Sequence, residues 1–163
     1  MHELLEKIGF IDDDFDAGTF LSGMEDVPDE AAEIFLAALA PGSEIREKLR
    51  HPAGDCEVWR EKRFMLAGQD RSGAALTISG AFDRVVIRRD GAGQVAGAEI
   101  WDYKSDRMDA PEQFLIYLPQ LRSYRASLSR LLRLPPERIG GGLFALRSGK
   151  AIPTALLESL SGE

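Results

Sequence analysis

One cysteine, Cys56, occurs in 163 residues. A lone thiol excludes an internal disulfide, a four-cysteine zinc site and an iron–sulfur cluster. Long hydrophobic runs are missing as well. No stretch approaches the roughly 18 apolar residues of a membrane span, and no charged-then-apolar leader opens the chain. Internal repeats and low-complexity tracts are absent too. These absences point to a cytoplasmic protein with no membrane partner.

What is present belongs to a globular chain. Hydrophobic residues make up 44% and charged residues 29% of the sequence, a balance unlike that of disordered or membrane proteins. The length suits a single domain, residues 1–163, with a proper core. Within it, residues 1–54 read as a helical, acidic part and residues 55–150 as a sheet core.

Positive charge is in deficit overall, with a formal net charge of −7, but unevenly so. Residues 1–60 carry 5 basic and 15 acidic side chains, against 15 and 12 in residues 61–163. The acidic part reads as a solvated face. Neutralised phosphates supply most non-specific affinity for nucleic acid, so such a chain alone would hold DNA weakly. A domain within a longer polypeptide would escape that difficulty.

The patterns run from helices to strands. His2-Glu-Leu-Leu-Glu-Lys-Ile-Gly puts Leu4, Leu5 and Ile8 on one helical face. Residues 11–30, rich in Asp and Gly, read as a loop; they lack the alternating order and closing Glu of a calcium loop. A buried helix is predicted from Asp29, as its N-cap, to Leu39, and a second short one after the cap Ser43. Strand patterns follow at 56–66, 75–87 and 95–103, separated by turns at Gly68–Gly73 and Asp90-Gly91. Gly80 marks a bend or a close backbone approach. A long helix over 111–133 and a strand from Gly140 complete the order. The fold class is α/β: a mixed sheet flanked by helices.

Chemistry concentrates on two strands. Eighteen residues separate Asp83 from Asp102, and Lys104 lies two further on. The intervening turn brings the two acids face to face on adjacent antiparallel strands. Alternation points Asp102 and Lys104 to the same side. Two carboxylates suit a hard divalent cation, and a nearby lysine can orient water or stabilise phosphoryl charge, as metal-dependent phosphodiester cleavage requires. The carbonyl of Tyr103 is a further candidate oxygen ligand. An acid and a lysine two apart also describe a surface ion pair. The apolar neighbours Ile100, Trp101, Val85, Val86 and Ile87 argue for use, because charges near a buried sheet are costly.

Three ordered motifs carry a resemblance: Gly80-Ala-Phe-Asp83-Arg84, Asp102-Tyr-Lys104-Ser-Asp-Arg107 and Gln120-Leu-Arg-Ser-Tyr124. Together they resemble the RecB-type nuclease domain of the PD-(D/E)XK superfamily, with its restriction-endonuclease-like fold. The C-terminal nuclease domain of AddA helicase–nuclease subunits is the nearest in look. His2-Glu-Leu-Leu is similar to the family's helix bearing a ligand histidine. The resemblance implies His2, Asp83, Asp102 and Tyr103 around Mg2+ or Mn2+, with Asp83, Asp102 and Lys104 catalytic. It implies Gln120, Tyr124, Arg84 and Arg107 lining the site or touching DNA. The family's glutamate on the preceding strand falls on Glu57 or Glu61, which remain competing choices. Implied partners are DNA, a helicase portion of the same polypeptide and a second helicase or nuclease subunit.

The expectation is therefore a DNA exonuclease or endonuclease domain for break-end processing and recombinational repair. The alternatives are a non-cleaving DNA- or helicase-binding module of the same fold, or a scaffold docking through its acidic part. Basic residues Arg122, Arg125, Arg130 and Arg133 read as a solvated helix face or as a DNA backbone track. Gly140-Gly-Gly-Leu lacks the lysine of a phosphate loop, and His51 reads as a turn residue.

Overall fold

The computed structural model describes residues 1–69, 72–108 and 110–162. The centre of the turn expected at Gly68–Gly73 lies outside them. Helices α1 (His2–Glu6), α2 (Ala17–Ser22), α3 (Asp29–Ala38) and α4 (Glu44–Leu49) precede strands β1 (Cys56–Gln69), β2 (Ala75–Arg89) and β3 (Val95–Lys104). Helix α5 (Leu118–Leu132), strands β4 (Ile139–Ala145) and β5 (Lys150–Pro153), and helix α6 (Thr154–Ser161) follow. The sheet order is β1-β2-β3-β4-β5. The β3–β4 pair is parallel and the others antiparallel. This is the mixed, helix-flanked sheet the sequence predicts.

Local chemistry explains where the expected elements shift. A short helix, α2, stands inside the predicted loop because the Asp16 carboxylate accepts the Thr19 N–H at 2.6 Å, satisfying a first-turn donor. Pro28, not Asp29, is the N-cap of α3; Asp29 enters the first turn, where a carboxylate faces the positive end of the helix. Ser43 caps α4 as predicted, accepting from the Arg46 N–H at 3.1 Å. The long helix over 111–133 is split. Residues Pro111–Tyr117 form a 3₁₀ segment and α5 begins at Leu118. Pro119 has no N–H to continue an α-helical ladder and restricts the residue before it, so it fits a first turn.

Each face of the sheet buries its own core. Helices α1, α3 and α4 pack Leu5, Phe35, Ile45 and Leu49 against Trp101, Tyr103 and Phe144. On the opposite face Leu128 of α5 meets Phe82, Val85 and Ile100. A third cluster joins Leu118, Leu121, Leu143 and Leu157 near α6. Two glycines admit close contacts. A Cβ on Gly80 would lie 3.0 Å from the Phe64 ring, so a side chain approaches there and not the backbone that the sequence suggests. Gly141 has a φ of 112°, and a Cβ would overlap the Ile100 carbonyl oxygen of β3.

Candidate active site

Asp83 and Asp102 meet where the β2–β3 ladder stops. The ladder runs to the pair Arg84–Trp101. Beyond it the Asp83 side chain takes over, its Oδ2 accepting the Tyr103 N–H at 2.6 Å. Asp102 is 2% exposed, and its Oδ2 is in ionic contact with Lys104 Nζ at 2.6 Å. That oxygen is buried and has no hydrogen-bond partner among the described residues. Burial pushes the Asp83 carboxyl up to about 7; the Tyr103 N–H works against this, and the charges of Asp102 and Glu61 add to it.

Glu61 is the site residue that sequence reasoning left unresolved. The pairs Arg60–Arg84 and Lys62–Phe82 bracket it, so it stands opposite Asp83. Its φ is 47°, a left-handed conformation that costs a non-glycine residue on the order of 1–3 kcal/mol. On β2 the alternation slips at the same place: Phe82 and Val85, three residues apart, enter the same core cluster. One ligand atom each from His2, Glu61 and Asp83 lie within 4.8 Å of one another. The rival Glu57 is engaged elsewhere, by Arg89 at 2.8 Å and the Trp59 indole at 2.7 Å.

An imidazole and two carboxylates form a donor set suited to a divalent cation. Electrostatics agree: burial raises the pKa of Glu61 and Asp83, the charge of Asp102 adds to both, and that of Glu61 adds to Asp83. A cation would relieve that crowding. Burial also lowers the pKa of His2, favouring the neutral, ligating imidazole. Of the expected ligands, His2 and Asp83 come together. Asp102 borders them through its contact with Lys104. Tyr103 contributes its N–H to Asp83, and its buried ring sits 5.7 Å from the His2 ring, edge to face.

The far wall comes from the 3₁₀ segment and α5. Lys104 Nζ lies 4.5 Å from the centre of the Tyr117 ring, and the Tyr117 hydroxyl donates to Asp106 at 2.9 Å. Tyr117 had no distinguishing signal in the sequence. Gln120 Nε2 donates to the Tyr124 hydroxyl at 3.1 Å, consistent with their spacing of one helical turn. The Tyr124 ring packs edge-on to Phe82 at 5.3 Å. Burial raises its pKa, with the charges of Asp102 and Asp83 adding to the effect.

Burial rules out one expected DNA contact. Arg84 is 0% exposed, its guanidinium spent on the carbonyls of Ile8 and Gly9, so it has no surface to offer a phosphate. Arg107 is exposed and faces Glu30 at 3.8 Å. The basic side of α5 is also partly neutralised. Arg122 and Arg125 share Glu158 at 3.8 and 3.0 Å, and Arg130 donates to the Ala67 carbonyl. His51 packs against Phe10 at 4.5 Å, away from the acids.

Residues 11–160 match the family model of the PD-(D/E)XK nuclease superfamily. No curated protein matches the chain. No helix among the described residues is long and apolar enough to cross a membrane.

Proposed function

The chain belongs to the PD-(D/E)XK nuclease superfamily, and we propose that it hydrolyses DNA phosphodiester bonds with the help of Mg2+ or Mn2+. The observation that carries this reading is the convergence of His2, Glu61 and Asp83 beside the Asp102–Lys104 contact. His2, Glu61 and Asp83 would hold the cation, with Asp102 and the Tyr103 carbonyl as further oxygen donors. A bound divalent ion supplies Lewis-acid charge to the phosphoryl oxygens.

The remaining work falls to the chain's own side chains. Lys104 carries its ammonium between Asp102 and the Tyr117 ring, where it orients the attacking water or offsets charge on the phosphoryl group. Gln120 and Tyr124 hold water or a phosphate oxygen at the same mouth. These determinants suit the backbone more than base edges, so sequence preference is expected to be weak.

In the finer reading, this is a RecB-type domain resembling that of AddA subunits. It would work in the cytoplasm within a longer helicase–nuclease, alongside a partner subunit, trimming DNA ends for recombinational repair. The test is a gel cleavage assay with Mg2+, Mn2+ or EDTA, on the parent chain and Asp102→Ala. Metal-dependent cleavage lost in the variant supports the proposal. Equal activity in EDTA and Mg2+ overturns it. DNA binding without cleavage, read by fluorescence anisotropy, would favour the non-cleaving module instead.

A further inference from the structure

We propose that Arg60 and Arg84 form a cross-strand clamp that positions the helix carrying His2 against the strands carrying Glu61 and Asp83. This rests on the metal-site reading above. The two arginines are paired across the β1–β2 ladder, each next in sequence to one acid of the site. Arg60 Nη1 donates to the Glu6 carbonyl at 3.0 Å. Arg84 donates to the Ile8 carbonyl at 3.1 Å through Nη1 and to the Gly9 carbonyl at 2.5 Å through Nη2. Three carbonyls, that of the last residue of α1 and two just beyond it, are thus held from two strands.

Helix α1 needs such a hold. It has five residues and no side-chain cap at its start, and a helix that short does not persist alone. The Lys7 and Ile8 N–H groups take the Leu4 and Leu5 carbonyls, which leaves the Glu6 carbonyl to Arg60. Leu4, Leu5 and Ile8 bury an apolar face in the core, but apolar burial is non-directional and fixes neither the height nor the rotation of the helix. A planar guanidinium fork fixes both. Phe10 covers the Arg84 guanidinium at 5.3 Å, and the chain thereby turns over a buried cation held by main-chain carbonyls and neighboured by the Tyr103 side chain. Arg60 and Arg84 are positioning residues, acting on the cation through His2.

Calorimetric titration of Mn2+ into the full chain tests the clamp, using Arg84→Lys, Arg60→Gln and His2→Ala, alone and combined. A lysine keeps the charge but loses the fork. Groups that orient ligands are worth about tenfold or more in metal affinity. Arg84→Lys should therefore weaken Mn2+ binding about tenfold and Arg60→Gln a few-fold, and neither should weaken it further in the His2→Ala background. Unchanged affinity in both arginine variants, or full additivity with His2→Ala, overturns the clamp. If Arg84→Lys does not fold, Arg60→Gln, at an exposed position, decides by the same criteria. A parent chain that binds no Mn2+, or binds it as well without His2, overturns the metal-site reading and takes the clamp with it. A parent that binds, weakened by His2→Ala but by neither arginine variant, overturns the clamp alone.

Discussion

Glu61 and Asp83 oppose each other across the β1–β2 ladder, and the Glu61 backbone takes a left-handed φ of 47° to do so. Like charges and a strained backbone are concentrated at one rung. Both costs fall on the metal-free protein. Glycine adopts that φ freely, so Glu61→Gly should stabilise the metal-free chain by about 1 kcal/mol in thermal denaturation. The same variant should lose at least about tenfold in Mn2+ affinity by calorimetry. A destabilised variant would show that the strain is not stored there.

The pH dependence has a definite sign. Asp83 is raised from 3.8 to about 7, so in that window the folded chain keeps a proton that the unfolded chain releases. The Asp83 contribution to metal-free stability is then greatest below about 4, falls as pH rises to about 7, and levels off above it. Glu61, raised by burial, adds to the slope, whereas His2, lowered by burial from 6.5, opposes it. Mn2+ competes with the Asp83 proton, so its affinity should grow across the same interval. Urea denaturation of the parent and Asp83→Asn between pH 4 and 8 checks this. The slope should shrink sharply in the variant.

Lys104 is expected to separate chemistry from cation binding. Its charge favours ionised Asp83 yet also repels a cation. Lys104→Ala should lower the single-turnover cleavage rate by about 100-fold or more while Mn2+ affinity holds or tightens. Tyr117→Leu removes the ring beneath the ammonium and should cost several-fold in the same rate, in line with a cation–π contact of about 1 kcal/mol. Parallel losses of rate and affinity would instead show that Lys104 acts by holding Asp102 in place.

Gly141→Ala offers a stability test that leaves every charge in place. The added methyl meets the Ile100 carbonyl at a φ of 112°, and neither backbone can yield inside a parallel pair. A loss of about 3 kcal/mol or more is expected in chemical denaturation.

Asp83, Asp102 and Lys104 were legible because charged residues interrupt apolar strand runs, and alternation assigns their faces. The mixed sheet was legible from the order of helical and strand periodicities. Glu61 was not. The pair Gln69–Ala75 centres the hairpin at residue 72; a centre at 70 would set Glu57 opposite Asp83. A turn signal spread over Gly68–Gly73 does not separate these registers. Arg84 was misplaced because its burial depends on docking with α1, 75 residues earlier in the chain. Helix α2, strand β5 and helix α6 are too short for periodicity to show. His2, Gln120 and Tyr124 rested on resemblance, since none has a distinctive setting in its own segment.

Strand β3 lies between β2 and β4, whereas β1 is at the end of the sheet. Trp101 is thus paired on both sides, Asp102 and Lys104 just beyond it keep their β4 partners, and Glu61 stands on a strand with a single neighbour. Amide hydrogen exchange should be slow around Trp101 and faster around Lys62. On the proposed reading, the lysine that would act on the phosphate follows directly on a stiff frame, and the acid that would adjust to cations of different radius belongs to its compliant border.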